Sequence, residues 1–501
     1  MIFRDWLKEL DYTLLQGSVD VETEDVIYDS RKAAPGKAFV AMKGIRVDGH
    51  SFIPQVLKAG VRVLVTERPV EEELKNSGLS EEELKQVTVV MVEEGRHALA
   101  LLSAARFDHP AKKLVMIGVT GTKGKTTTTH MIRAILLAAG KKVGMIGTTG
   151  TVIGNVVTPT LNTTPESYEL HQAFAQMVEA GCEYAVMEVS SQGIKMHRTD
   201  GLYFNYAIFT NISPDHIGPG EHADFEEYLY YKTRLLNMCG IGLVNKDDKH
   251  APQIIKAANC ELYTYSEESK EADFVASDIR YVSQPDFVGT EFHISGKYDM
   301  EVRLGIPGLF NVVNALAAVS VCSFLGLDQA RISHALENIR VNGRMEIVYT
   351  SERCTVLVDY AHNAVSMESL LSTLRDYKPK RLVCVFGCGG NRSKDRRYSM
   401  GEIGGKMADL SIITADNSRY EKVEDIIADI RGSIEKTGGK FIEIPDRREA
   451  IRYSILHAQP GDMVAVIGKG HEDYQEINGV RHHFLDREVI EETVKELGEK
   501  A

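Results

Sequence analysis

At 501 residues, 43% of them apolar and 26% charged, the chain is too long for one core and is expected to fold as several domains of ordinary soluble composition. A formal charge of -13 excludes a general nucleic-acid binder, because no basic excess exists to neutralise phosphates, but leaves room for a locally positive cleft that takes a small anion. No apolar run approaches the roughly 20 residues of a membrane-spanning helix, and seven scattered cysteines without a C-x-x-C pair read neither as a disulfide framework nor as a metal cluster of zinc spacing.

The first segment, MIFRDWLKEL, carries charges throughout and has no signal-peptide core, so a reduced cytoplasm is the expected location. The next hundred residues mix short apolar strands, KAFVAM and VRVLVTE, with helical stretches. In EEELKNSGLSEEELKQ, Ser80 and Glu83 stand in capping-box register, which predicts a helix opening on a solvated surface. After RFDHPAKK the near-continuous apolar run LVMIGVT predicts a buried strand, followed by a glycine loop and a helix, TTTTHMIRAILLAAG, closed by Gly140. The strands KKVGMIGTT, YAVMEVS, YAIFTN and IGLVN alternate with helices, the pattern of a mostly parallel doubly wound sheet. A third α/β unit starts near Asn342, with strands CTVLVDY, RLVCVFG, LSIITAD and DMVAVIGKG that end in polar or glycine residues, where open α/β sheets place ligands. The expected fold is therefore α/β in three domains, residues 1–105, 106–341 and 342–501.

Residues 118–129, GVTGTKGKTTTT, resemble a phosphate loop whose first glycine sits one place too early. The strand–loop–helix context is right: Gly121 and Gly124 let backbone N–H groups approach phosphates, Lys125 can reach the outer phosphates, and the Thr126 hydroxyl can join a Mg²⁺ shell. Glu188 ends an apolar strand, the usual way such folds deliver a carboxylate to the metal, and the strand-end segment TNISPDHIGPGEH supplies His216. Alone, each of these two is ordinary; together, on neighbouring strand ends beside the loop, they outline a metal position.

TGTKGKTTT, NTTPES, MEVSSQG, NISPDH, PGLFNVVNALAA, GRME, DYAHN, FGCGGNRSKDRR, TADNSR and GKGHEDYQ then follow in the order found in the Mur ligases, and the N-terminal DSRKAAPGKAFVAMKG fits as well. The chain resembles those members that add the third residue of the peptidoglycan stem peptide, over nearly its whole length. In that family TGT-[NK]-GKT is the phosphate loop itself, so the shifted glycine is a family trait. The resemblance implies an N-terminal domain for UDP-MurNAc-L-Ala-D-Glu, a central ATPase-type domain and a C-terminal Rossmann-like domain for the amino acid. It implies that ATP phosphorylates the D-Glu side-chain carboxylate and that the amine of a diamino acid attacks the acyl phosphate, giving an amide, ADP and phosphate. A carboxylate is inert to amines at neutral pH until one oxygen becomes a phosphate leaving group, and Mg²⁺ ions neutralise the two anions brought together.

Residue by residue, the resemblance assigns Gly121, Thr122, Lys123, Gly124, Lys125, Thr126 and Thr127 to ATP, and Thr126, Glu188 and His216 to metal. Lys232, in FEEYLYYKTRLL, matches the lysine that carries a CO₂-derived carbamate; on sequence alone it is an ordinary helix lysine. Asn311 and Asn314 match the adenine side, Arg344 an arginine that reaches ATP phosphates, and Asp359 and His362 a strand end of the same site. Ser30 matches the uridine contact, and Asn162, Thr163, Thr164, Ser190 and Arg198 the muramoyl-dipeptide contacts, with Met196 where a glutamine is usual. Arg397, Asp416, Asn417, Ser418, Arg419, Gly468 and Glu472 match the amino-acid pocket. Members using meso-diaminopimelate carry D-N-P-R, whose arginine clamps the distal carboxylate; here Ser418 replaces the proline and Arg419 remains. Asn391 and Tyr398 are further departures, so meso-diaminopimelate is favoured, with L-lysine or another diamino acid left open.

Only small-molecule partners and a monomeric enzyme are expected. Three rival readings compete with this one. A nicotinamide oxidoreductase would need glycine where Arg392 stands in FGCGGNR. A folate-polyglutamylating ligase lacks the DSRK…DGHSF unit. A catalytically silent nucleotide-binding homologue fits poorly with intact Lys125, Glu188, His216 and Lys232.

Overall fold

The computed structural model describes residues 1–44 and 47–498. Contacts divide the chain into two compact units, Met1–Tyr265 and Ser266–Ala501. The expected boundary at 105 falls inside the first unit and that at 342 inside the second.

The first unit opens with a five-stranded sheet in the order Thr13–Gln16, Thr88–Met91, Val63–Thr66, Lys37–Val40, Asp25–Ile27, parallel except for its first strand. The predicted capping box is present: Ser80 Oγ accepts from the Glu83 N–H, and Glu83 Oε2 accepts from the Ser80 N–H at 2.8 Å. The helix that it starts, Glu81–Leu84, is short.

Next comes a larger sheet, ordered Glu261–Ser266, Cys239–Asn245, Phe204–Phe209, Val115–Thr120, Tyr184–Glu188, Val143–Gly147, and then Gly150–Ile153 and Val156–Thr158. The first six are parallel and the last two antiparallel. Val115–Thr120 is buried almost throughout because both of its faces are covered, which is why its sequence does not alternate. Tyr184–Glu188 pairs with one side of it and Phe204–Phe209 with the other. The strand order thus switches sides at this strand, and its carboxyl end is the position where doubly wound sheets bind ligands. The following helix, Lys125–Ala138, is capped by Gly124 at φ 86° and ends at Gly140, φ 78°. There the Gly140 N–H reaches Leu137 O and the Lys141 N–H reaches Leu136 O, both at 2.9 Å, the paired bonds that close a helix with a left-handed glycine.

The second unit begins with an antiparallel meander, Phe274–Gln284, Phe287–Gly296 and Met300–Leu304, followed by helices Leu309–Phe324 and Gln329–Glu337. Its six-stranded sheet runs Glu346–Thr350, Cys354–Asp359, Asp462–Ile467, Arg381–Phe386, Leu410–Ile413, Phe441–Glu443, with only the first strand antiparallel. All seven cysteines are free thiols. Among the described residues no helix is long and apolar enough to cross a membrane.

Candidate functional site

In the first unit the phosphate loop is laced to the segment after Phe204–Phe209. Thr122 N–H donates to Asn211 O at 2.8 Å, Lys123 N–H to Asn211 Oδ1 at 2.9 Å, and Thr210 Oγ1 to Lys123 O at 2.6 Å. The Thr122 hydroxyl meets Tyr228 Oη at 3.0 Å. Gly121 stands at φ 147°, and a Cβ there would lie 1.9 Å from Thr210 Oγ1, so the loop's close approach requires glycine. Lys125 Nζ donates to Gly121 O at 2.8 Å and Thr122 O at 3.2 Å. A rigid loop of backbone N–H groups leading into a helix N-terminus, with a lysine folded over it, suits a polyphosphate.

Glu188 is buried at the end of its strand, 3.0 Å from Thr126 Oγ1 through each carboxylate oxygen, and accepts from the Thr148 N–H at 2.9 Å. Gly147 makes room for it, since a Cβ there would fall 2.3 Å from Glu188 Oε1. A hydroxyl and a carboxylate side by side are an oxygen donor set of the kind Mg²⁺ takes. Lys232 is also buried and donates to Gly121 O at 2.7 Å, with its amine 4.7 Å from the centre of the Tyr228 ring. Burial, then the nearby Lys125 charge, holds its ammonium well below the usual lysine range. Thr127 is buried in the first helical turn.

His216 is not brought to this group. Its strand and that of Glu188 are not neighbours but flank the loop strand on opposite sides. The ring is exposed, with Nδ1 3.0 Å from Glu221 Oε1. The buried histidine of this segment is His222, 3.0 Å from Ser191 Oγ and packed on Tyr228 and Tyr231.

The residues matched to the muramoyl-dipeptide cluster in part. Thr164 Oγ1 donates to Glu188 O and accepts from the Ser190 N–H, both at 3.0 Å, while Arg198 donates to Thr164 O at 3.0 Å and pairs with Glu166 at 2.7 Å. Thr163 Oγ1 lies 3.1 Å from Thr148 Oγ1. Asn162 is exposed, and Ser30 begins a separate 3₁₀ turn capped by Asp29.

In the second unit, Asn311 and Asn314 are buried at the start of their helix, with Asn311 Nδ2 donating to Pro307 O at 2.7 Å and Asn314 Nδ2 to Asn311 Oδ1 at 3.2 Å. The Arg344 guanidinium covers the Tyr360 ring at 4.7 Å. Asp359 accepts from the Met345 and Ala361 N–H groups at 2.8 and 2.7 Å; its burial raises the carboxyl above its usual range, with Arg344 opposing. His362 packs on Tyr360 at 4.7 Å.

The amino-acid residues form one hydrogen-bonded group. Asn417 Nδ2 donates to Glu472 Oε2 at 3.0 Å, and Lys469, fully buried, donates to both Asn417 Oδ1 and Glu472 Oε2 at 3.2 Å. Asp416 Oδ2 sits where a Cβ on Gly468 would meet it at 2.8 Å, which explains that glycine. Ser418 is buried beneath Gly390, and Arg419, at φ 52°, donates to Gly390 O at 2.7 Å with Nε 3.4 Å from Glu476.

Arg397 departs from expectation. It is buried and turned into an ion pair with Glu421 at 2.8 Å and Asp429 at 2.9 Å, because a buried guanidinium must be compensated and its helix faces those two acids. Thr148, Lys469 and Glu476 are contacts that the sequence did not single out; Lys469 lies inside the quoted GKGHEDYQ, beside Gly468 and Glu472. One further grouping lies outside anything that sequence spacing addresses. Among the described residues His97, His197 and Asp200 converge, a grouping invisible to local spacing because the fold assembles it from distant segments.

Comparison with known proteins gives a consistent outcome. Residues 23–107 match the Mur ligase family catalytic domain, 119–322 the Mur ligase middle domain and 343–470 the Mur ligase glutamate ligase domain. The UDP-N-acetylmuramoyl-L-alanyl-D-glutamate--2,6-diaminopimelate ligase of Caldanaerobacter subterraneus subsp. tengcongensis is 39% identical over 498 residues, 98% of each chain. The protein of the same name from Clostridium perfringens is 38% identical over 98% of this chain and 99% of its own. A solved structure of a UDP-N-acetylmuramoyl-L-alanyl-D-glutamate--2,6-diaminopimelate ligase superposes with a TM-score of 0.72 at 30% identity, covering 95% of this chain and 96% of the other. Likeness of that depth over practically the whole length reflects common descent, and the chain belongs to the Mur ligase family.

Proposed function

We propose that this protein joins 2,6-diaminopimelate to UDP-MurNAc-L-Ala-D-Glu in an ATP-dependent reaction of cytoplasmic peptidoglycan precursor synthesis, acting as a monomer. The near-full-length likeness to ligases of that name carries this reading. Locally it is supported by Arg419, whose guanidinium donates to Gly390 O, and by the Asn417–Glu472 pair, since a diamino acid with a distal carboxylate needs an arginine as well as an acid for its ammonium group. Residues 1–105 take the nucleotide sugar, 106–341 the ATP and 342–501 the amino acid.

The phosphate loop holds the nucleotide, and Thr126 and Glu188 would hold Mg²⁺, which would supply charge neutralisation. Transfer of the γ-phosphoryl group to the D-Glu carboxylate replaces a poor leaving group by a good one; the amine then forms the C–N bond as the C–O bond to phosphate breaks and a proton is lost from nitrogen. Lys232 is suited to carbamylation because CO₂ adds only to an unprotonated amine, and burial disfavours the ammonium form.

Phosphate release from ATP is the test, measured with UDP-MurNAc-L-Ala-D-Glu and each of meso-diaminopimelate, L-lysine and no amine. Turnover with meso-diaminopimelate is expected to exceed that with lysine. Lysine as the better amine would reassign the acceptor, with Ser418 in place of proline as the first residue to change; no stimulation by any amine would refute the ligase reading.

A further inference from the structure

Among the described residues one group of three side chains has metal-ligating atoms that all lie within 4.8 Å of one another: His97, His197 and Asp200. His97 stands in the first turn of the helix Gly95–Arg106, whereas His197 and Asp200 follow the short helix Ser191–Lys195. Asp200 Oδ2 lies 2.6 Å from His97 Nδ1 and 2.7 Å from His197 Nδ1. The two rings are 6.2 Å apart and inclined at 78°, so both present an edge nitrogen to the same oxygen rather than stacking. His197 is held at φ 55°, a left-handed backbone that a residue other than glycine keeps only when its surroundings demand it.

Two imidazole nitrogens and a carboxylate oxygen form a donor set for borderline ions such as Zn²⁺, Co²⁺ or Ni²⁺, not for Mg²⁺, which prefers oxygen alone. With both rings neutral the group carries one negative charge, so a divalent cation is not opposed. Ligand atoms about 2.0–2.2 Å from a tetrahedral ion are roughly 3.3 Å apart. Both nitrogens must therefore move about 0.6–0.7 Å further from the Asp200 oxygen, which side chains 43%, 39% and 20% exposed can do by small rotations. The same exposure gives the ion an entry path and leaves outer positions for water.

We propose that His97, His197 and Asp200 form a three-ligand site for Zn²⁺ or a similar ion, pinning the segment that carries Arg198 to the helix Gly95–Arg106. Beside it, Arg198 and Arg96 both turn to Glu166, at 2.7 and 3.6 Å, so the ion fixes two arms of one charged cluster. Each ring binds through Nδ1 and keeps its proton on Nε2. The site needs unprotonated rings, because an ion and a proton compete for the same nitrogen.

The test is titration of chelator-stripped full-length protein with ZnCl₂ by calorimetry and with CoCl₂ by visible absorption. The proteins are wild type, His97→Ala, His197→Ala, Asp200→Asn, and Glu188→Gln as a control at the phosphate-loop carboxylate. Wild type is expected to take up one Zn²⁺ at this site and to gain thermal stability from it. Loss of even an outer-shell partner weakens metal sites roughly 10–100-fold, so each ligand substitution is expected to weaken binding at least about a hundredfold and abolish the Co²⁺ band. Glu188→Gln is expected to retain both. If an alanine variant does not fold, His97→Gln and His197→Gln take its place. Unchanged affinity in both histidine variants, or no uptake by folded wild type, overturns the proposal and leaves the triad as a hydrogen-bonded clamp.

Discussion

Lys125 and Lys232 donate to the same carbonyl oxygen, that of Gly121, at 2.8 and 2.7 Å. The deeper of the two, Lys232, has a lowered pKa, first because burial disfavours its charged form and then because the Lys125 charge lies beside it. The pairing thus places two lysines with unlike surroundings on one loop carbonyl, the more buried of them with its ammonium form disfavoured.

The stability consequence has a definite sign. Between its depressed folded pKa and the ordinary value of 10.5, Lys232 binds fewer protons folded than unfolded, so stability from this group rises with pH across that window. Lys232→Met is therefore expected to gain on wild type in bicarbonate-free buffer at pH 7 and to lose that advantage toward pH 10. Thermal melts at the two pH values check it; a margin that does not change with pH would contradict a depressed Lys232.

Thr126 and Glu188 form the buried hydroxyl–carboxylate pair of the same loop. Glu188→Gln keeps the shape and removes the charge, so turnover is expected to fall at least about a hundredfold while the melting temperature moves little, the pattern of a lost metal ligand rather than a lost fold. Gly147→Ala, whose Cβ would press on Glu188 Oε1, is expected to mimic it. Steady-state kinetics with saturating ATP, alongside melts, separate the two effects.

Arg419→Ala is expected to raise KM for meso-diaminopimelate at least about tenfold, since a bidentate contact to a carboxylate is charge-assisted, with KM for ATP nearly unchanged. Equal losses for both substrates would remove Arg419 from the role of distal clamp.

Arg397 gives a contrasting outcome. Removing one partner of a buried ion pair leaves the others uncompensated and costs about 3–5 kcal/mol; because Glu421 and Asp429 are partly exposed, the lower end is expected for Arg397→Met. Urea titration measures the loss. The folded fraction is expected to keep its KM for the diamino acid, and a selective rise in that KM at unchanged stability would put Arg397 back in the pocket.

What could be read directly from the chain was local in its physics. The strand, loop and helix of GVTGTKGKTTTT follow from an unbroken apolar run, two glycines and a helix start within a dozen neighbouring residues, and the structure forms them in place. The Ser80–Glu83 capping box is local in the same way. The group around Asn417 and Glu472 was legible through its motifs, although the lysine at its centre was not, because a lysine's burial is not written in its neighbours.

Tertiary structure decided the remainder. Whether Arg397 faces a ligand or Glu421 depends on how one helix packs on another, and the meeting of His97 with Asp200 joins residues 103 apart in sequence. The sequence alone determined the order of strands, loops and helix starts and the residue types at their ends, because those follow from periodicity and backbone chemistry over a few residues. Burial, charge compensation and the protonation of Lys232 came only with the fold, since each is set by the dielectric surroundings and charges that distant segments bring together.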